Sequence, residues 1–353
     1  MKTFLLTGLA APLFAVAAFG QNAHSTNCCS TDPRADGHGP IGVMGDHTHA
    51  GGGWMFSYRY MSMSMSGLRD GTTSLNDSEV LMSGTGSYMI APQDMTMTMH
   101  MFGGMYAVND DLTLMVMVPY LEKEMDLTRV TMGGTGDFST KTSGLGDITL
   151  SALPVLWRSD HEQLHLNLGL SLPTGSITET DGVLQMDGTT LMDLRLPYSM
   201  QLGTGTVDLK PGVTYVNHGD GHSWGTQASG VIHLGTNEED YSFGDALSAT
   251  AWGAMRVGEE QSVSLRLNAS WAGDIDGADP VIAPLAGMNP LADTRNYGGK
   301  RAEVGFGWNW QPRGETLSSH RLAAELIIPI YEDLEGPQME REWSIVIGWQ
   351  YAF

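Results

Sequence analysis

Beyond residue 53, apolar and polar residues alternate with a period of two through most of the chain, in segments bounded by Gly, Asn, Asp and Pro. A period of two predicts strands, because successive side chains on a strand point to opposite faces. Twelve such segments lie near 54–65, 95–107, 112–125, 147–157, 163–173, 206–216, 224–234, 246–256, 262–272, 301–311, 320–331 and 343–353. Each is close to the roughly 9–11 residues that a tilted strand needs to cross a bilayer. The number is even, as in single-chain bacterial barrels.

The last segment is the most distinctive. Trp343, Ile345, Ile347, Trp349, Tyr351 and Phe353 share one face, and Ser344, Val346, Gly348, Gln350 and Ala352 share the other. An apolar stripe with its rings gathered at the end of the chain matches the aromatic girdle of a lipid-facing strand. Gly348 and Tyr351, five and two residues before Phe353, resemble the terminal signal read by the barrel-assembly machinery, an expected partner. Val346 stands where a polar residue is usual.

Connections alternate in length. Segments such as 66–94, 126–146, 174–205 and 273–300 are long, while 108–111, 158–162, 217–223, 257–261 and 312–319 are short. By the same alternation the first, third, fifth, seventh, ninth and eleventh connections are long. Long loops on one rim and short turns on the other are the asymmetry of exterior and periplasm, and they put both chain ends in the periplasm.

Parity assigns the faces. Leu164, Leu166, Leu168, Leu170 and Leu172 oppose Gln163, His165, Asn167, Gly169 and Ser171; Val304, Phe306, Trp308 and Trp310 oppose Glu303, Gly305, Gly307 and Asn309. The expectation is an all-β transmembrane antiparallel barrel over 54–353, about twelve strands. A secreted β-sandwich would show similar alternation but would not gather rings at the strand ends.

Composition agrees with that compartment. Mean hydropathy is −0.13, which alternation explains, since each lipid-facing residue is paired with a polar inward one. Lys2, an apolar run from Phe4 to Phe19 and the small residues up to Gly20 read as a secretory signal over 1–20. The net charge of −22 rules out a generic nucleic-acid binder. Carboxylates concentrate in the loops, at Asp181, Asp187, Glu238, Glu239, Asp274 and Asp276 among others. That placement fits divalent bridging at a surface of outer-membrane lipid and lipopolysaccharide, or plain solvation.

The inward parity collects Arg59, Lys123, Lys210, Arg256, Arg266, Arg301 and Arg321, with Asp208, Glu303 and Glu325 among them. These read either as a basic constriction or as ion pairs filling a narrow barrel.

Methionine is the unusual residue, 23 in all. Met61 and Met63 share the inward parity of the first strand with Arg59, and Met115 and Met117 that of the third with Lys123. Met97, Met99 and Met101 share one face of the second, opposite Thr96, Thr98, His100 and Phe102, and parity alone does not decide which face turns inward. Met97, Met99, His100, Met101 and His165 are nevertheless placed on the solute path. Thioethers suit soft ions such as Cu(I) or Ag(I), and as flexible apolar groups they suit a greasy solute or plain packing.

Residues 21–53, rich in Gly and His, are expected to form a plug or a periplasmic tether. Cys28, Cys29, Met44, His47 and His49 are candidate metal ligands there, with His24 and His38 nearby and Asp46-His47-Thr48-His49 the tightest group. No cofactor is required by anything in the sequence. No local hydrolase motif is visible; His100, His165 and His233 lie on separate strands, so the chain is not expected to be an enzyme, with a barrel-embedded hydrolase as a remote alternative.

Several segments resemble a known family: Gly42-Val43-Met44-Gly45-Asp46-His47, Trp54-Met55-Phe56-Ser57-Tyr58-Arg59-Tyr60-Met61, Gly144-Leu145-Gly146-Asp147-Ile148, Leu170-Ser171-Leu172-Pro173-Thr174-Gly175-Ser176 and Gly348-Trp349-Gln350-Tyr351-Ala352-Phe353. They are similar to outer-membrane proteins of the MetA-pathway of phenol degradation family. The resemblance implies a barrel of the broad fatty-acid-channel type associated with hydrophobic or aromatic compounds, and it transfers no catalytic residues. The density of Met and His near the amino terminus departs from that family's pattern and resembles Met-rich copper-resistance proteins of the outer membrane. The expected function is an outer-membrane channel for small solutes, either hydrophobic or aromatic compounds or soft metal ions, with a periplasm-facing copper- or silver-binding protein as the alternative.

Overall fold

The computed structural model describes residues 34–314 and 317–353. The cysteine pair and the signal lie outside them. Among the described residues no helix is long and apolar enough to cross a membrane, and the chain is instead a closed antiparallel barrel.

Each strand of the ring pairs with its sequence neighbours. The order runs Trp54–Gly71, Ile90–Asn109, Leu112–Thr131, Ile148–Arg158, Glu162–Leu172, Val207–His218, His222–Leu234, Ala246–Arg256, Gln261–Ala272, Gly299–Trp310 and His320–Ala352. That makes eleven continuous strands, and the last is a hairpin. Its residues 322–334 pair with Gly299–Trp310, and 334–352 pair with Trp54–Gly71, both antiparallel. The reversal falls at Gly336, whose φ of 76° is open to glycine. Counting its two arms separately gives the twelve crossings expected from alternation.

Two expectations need correction. The eleventh connection is a tight turn, not a long loop, because both arms of the hairpin continue as strand to the reversal. The first three strands also outrun their expected ends, reaching 18, 20 and 20 residues. Their upper parts pair with one another and with the outside strand Gly134–Leu145. There Glu122, Glu124 and Asp126 replace apolar outward residues, so the strands continue past the apolar band.

The seam closes at the chain end. Trp54 N–H donates to Phe353 O at 2.8 Å and Phe353 N–H to Trp54 O at 2.9 Å. Around this short-turn rim the outward rings touch: Trp54 with Tyr106 at 4.5 Å, Phe56 with Phe353 at 5.9 Å, and Tyr351 with Phe353 at 5.3 Å. Midway up, Leu168, Leu265, Phe306 and Ile347 stand about half exposed on the outside. Their counterparts His165, Ser171, Ser262 and Glu325 are buried inside.

At the opposite rim, loops fold over the mouth. Val80 and Leu81 of a short capped turn, Leu196, Met200 and Leu291 pack with Leu68, Met95, Met125 and Met339 of the strands into one buried cluster. Lys123 Nζ reaches up to donate to the carbonyls of Ser199 and Gln201 at 2.8 and 2.5 Å.

Candidate functional site

The inward face of the first three strands is a thioether wall, interrupted by Ser57, Arg59, Gly103 and Lys123. Register places Met61 opposite Met99, Met63 opposite Met97, Met65 opposite Met95 and Met55 opposite Met105. Across the next interface Met95 faces Met125 and Met105 faces Met115. Direct cross-strand partners have Cβ atoms about 4.5–5.5 Å apart, which sets these side chains side by side; Met95 and Met125 share one packed cluster, and Met55, Met105 and Met115 another. The second strand is thereby oriented: Met95 packs in the cluster under the loops, Met105 packs with Met55 and Leu153, and Phe102 of the opposite parity is exposed. Met97, Met99 and Met101 therefore face inward, and so do Met115 and Met117.

His100 does not. It shares the outward parity, hydrogen-bonds Tyr58 Oη at 2.8 Å, stacks against Tyr58 and meets Tyr60 edge-on. Its place on the solute path is corrected by the same alternation that turns the methionines inward.

The other side of the lumen is ionic. Arg266 Nε donates to Glu325 Oε1 at 2.7 Å, Arg301 Nε to Glu332 Oε1 at 3.0 Å, and Arg341 Nη1 to Glu303 Oε1 at 2.8 Å. Each of these three arginines finds a carboxylate, as the cost of an unpaired charge away from water requires, and on this side the arrangement favours ion pairs over a free basic constriction. Among the described residues, Arg59, Arg129 and Arg321 are buried without a carboxylate partner; the Arg321 guanidinium donates to Gln350 Oε1 at 2.7 Å, to Asn309 and to the carbonyl of Gly39 at 2.8 Å. Arg59 is buried beside Met101, its cross-strand partner.

Residues 34–50 run through the lumen near the short-turn rim, held by inward side chains from around the ring. Ser262 and Ser223 hydroxyls donate to the carbonyls of Ala35 and Asp36 at 2.7 and 2.6 Å. Gln227 Nε2 donates to Met44 O at 2.9 Å, and His165 Nε2 meets Gly45 O at 2.9 Å. On the apolar side Ile41 packs with Ala323, Ile327, Val346 and Met61, and Val43 with Val216 and Trp252. The approach is close: a Cβ at Gly348 would sit 2.8 Å from Ile41, and one at Gly42 2.6 Å from Glu325 Oε2. A side chain at either position would make Ile41 or the Glu325 carboxylate shift.

Within this segment His38, Asp46 and His47 bring ligand atoms within 4.8 Å of one another. Asp46 accepts from His47 Nδ1 at 2.7 Å and from the N–H of Gly39 at 2.8 Å, and its Oδ2 lies 3.9 Å from His38 Nδ1. Burial opposes ionisation of Asp46, but the charge and hydrogen bond of His47 outweigh it and hold the carboxyl far below its ordinary range. Burial drives His38 well below the ordinary histidine value and His49 down to about 3. Both rings are therefore neutral near pH 7. His49 extends the row, its ring 5.0 Å from that of His47. A cavity of about 610 Å³ at the short-turn rim reaches the cluster, with Arg34, Gln163 and Gln350 also on its wall.

Of the residues picked out as metal ligands, His47 is in the cluster and His49 beside it, while Met44 engages the wall through its carbonyl. Cys28 and Cys29 are outside the described residues. His38 and Asp46 complete the cluster, and the sequence signal for them was their proximity to His47 in a glycine-rich stretch. Met55, Met65, Met95, Met105 and Met125 belong to the thioether wall as well, on the parity of Met61, Met97 and Met115.

A closed antiparallel ring with an apolar exterior, girdle rings and a polar, partly thioether interior defines an outer-membrane β-barrel. Residues 82–287 match the model of the MetA-pathway of phenol degradation family; this is more than half of the 353 residues, and the chain belongs to that family. No curated protein matches the sequence. Among solved structures, the chain is similar to the COG4313 outer membrane channel from Pseudomonas putida F1, at 14% identity and a TM-score of 0.58, covering 89% of this chain and 100% of that one. It also aligns with a Pseudomonas aeruginosa FadL homologue at 9% identity and a TM-score of 0.44, over 92% and 99% of the two chains. For the TodX monoaromatic hydrocarbon channel the identity is 11% and the TM-score 0.47, over 87% and 92%.

Proposed function

We propose that this protein is an outer-membrane channel for small, uncharged aromatic compounds of the phenol class, with residues 34–50 as an internal plug. The observation that carries the reading is the thioether wall. Met61, Met63, Met97, Met99 and Met101 form a flexible apolar strip facing a lumen that is otherwise ion-paired and polar. A sulfur–aromatic contact contributes about 0.3–1.5 kcal/mol, enough to favour a ring over water without trapping it. A phenolic hydroxyl would find donors and acceptors on the polar side. The family's name supports this solute class.

A second reading is favoured by one feature, the directly opposed pairs Met61–Met99 and Met63–Met97, which suit stepwise transfer of Cu(I) or Ag(I) between thioethers. Uptake by porin-deficient cells with an intact lipopolysaccharide leaflet separates the two. Cells making the protein should accumulate labelled phenol faster than cells without it. Unchanged phenol uptake with raised Ag(I) uptake would overturn the aromatic reading in favour of the metal one.

A further inference from the structure

The cluster in the plug has no part in moving an aromatic solute, yet its arrangement is not that of an ordinary polar core. Asp46 has a plain structural use: it is the buried carboxylate facing the electrostatic field of Arg59 and Arg321. That use does not account for the imidazoles. Among the described residues, His38 Nδ1, His47 Nε2 and His49 Nε2 are all buried and have no hydrogen-bond partner. Buried polar atoms are nearly always paired, and a native exception points to an unseen water or ion. Three such exceptions on adjoining rings, 4.4 and 5.0 Å apart from centre to centre, point to one cause.

We propose that His38, Asp46 and His47 bind a divalent transition-metal ion of borderline softness, zinc(II) or copper(II), with His49 as the adjoining donor. Imidazole and carboxylate are the donors such ions take, at about 2.0–2.2 Å. On a tetrahedral ion two such donors lie about 3.4 Å apart, so a triangle whose edges reach 4.8 Å must close by more than an ångström on binding. The ion takes the place of the hydrogen bond between His47 Nδ1 and Asp46 Oδ1, whose 2.7 Å separation already draws these two donors together. Soft Cu(I) and Ag(I) are poorly served by this set and belong, if anywhere, to the thioethers. The cavity at the short-turn rim supplies an entry path.

The position of the ligands gives the ion a consequence. His38 lies before, and Asp46 and His47 after, the turn that seats Ile41, Gly42 and Val43 against the ring. An ion joining them closes that turn and latches the plug. The inference does not depend on which solute the channel carries.

Its test uses the full mature protein in detergent, stripped with a chelator and titrated with Zn²⁺ alone, in wild type and in a Cys28→Ser, Cys29→Ser background. One equivalent should bind in both. His38→Ala and His47→Ala should each weaken binding at least about tenfold, and His100→Ala, altering an outward ring, should not. Modification of the wild type with diethyl pyrocarbonate guards against variants that fail to fold: Zn²⁺ should shield His38 and His47 and leave the exposed His222 reactive. Absence of a bound equivalent, binding that survives both alanine variants, or equal modification with and without Zn²⁺ would overturn the assignment.

Discussion

The backbone N–H of Gly42 donates to Glu325 Oε2 at 2.8 Å, while the other oxygen of the same carboxylate accepts from Arg266 Nε at 2.7 Å. One carboxylate thus joins the plug to the ion-paired wall. A Cβ at Gly42 would fall 2.9 Å from Arg266 Nη2 as well. Gly42→Val is therefore expected to push the plug off its seat while the barrel still assembles. The check is single-channel conductance in planar bilayers, expected to be larger and noisier than wild type.

Glu325→Ala removes that acceptor and strands the Arg266 guanidinium in a buried site. Breaking a buried pair from one side costs about 3–5 kcal/mol. The expected result is a lower unfolding midpoint, read as loss of heat-modifiable gel mobility at a lower temperature or urea concentration. Paired replacement, Glu325→Leu with Arg266→Met, should recover much of the loss.

Met61, Met63, Met97 and Met99 can be exchanged together for Leu with little change in volume, at less than about 1.5 kcal/mol for each swap. Assembly should persist. If the wall serves an apolar solute, phenol uptake should stay within severalfold of wild type, since leucine keeps the apolar surface. Were uptake of phenol untouched by Met99→Gln and Met61→Gln as well, the wall would have no role in passage.

Deleting Phe353 removes both hydrogen bonds that it makes with Trp54 and the ring contact with Phe56 at 5.9 Å. Slower membrane assembly is expected, measured as delayed appearance of the folded band in a pulse-chase experiment. Phe353→Tyr keeps the backbone bonds and the ring and should restore the rate.

Strand positions were legible in the sequence because a period of two survives in every crossing. Leu164 to Leu172 and Trp343 to Phe353 announce their faces without help from any neighbour. The eleventh connection was not legible: residues 332–342 are polar enough to read as loop, and only pairing with Gly299–Trp310 and Trp54–Gly71 reveals them as strand. His100 failed for a related reason, since the second strand carries Met on one face and Thr, His and Phe on the other, and neither is plainly polar. Register with the first strand resolved it. The cluster of His38, Asp46 and His47 was partly legible, because Asp46 and His47 are adjacent, while His38 joins them only through the turn at Gly39–Gly45.

The central claim is that the thioether wall is the surface the solute touches. Its most direct measurement is the reactivity of single cysteines placed at Met61, Met99 and His100 in a Cys28→Ser, Cys29→Ser background, using a water-soluble thiol reagent with and without phenol. Cysteines at 61 and 99 should react and be shielded by phenol, while the one at 100 should stay unreactive in the bilayer. Reaction at 61 and 99 that phenol leaves unchanged, in protein that still carries phenol across the membrane, would contradict the claim.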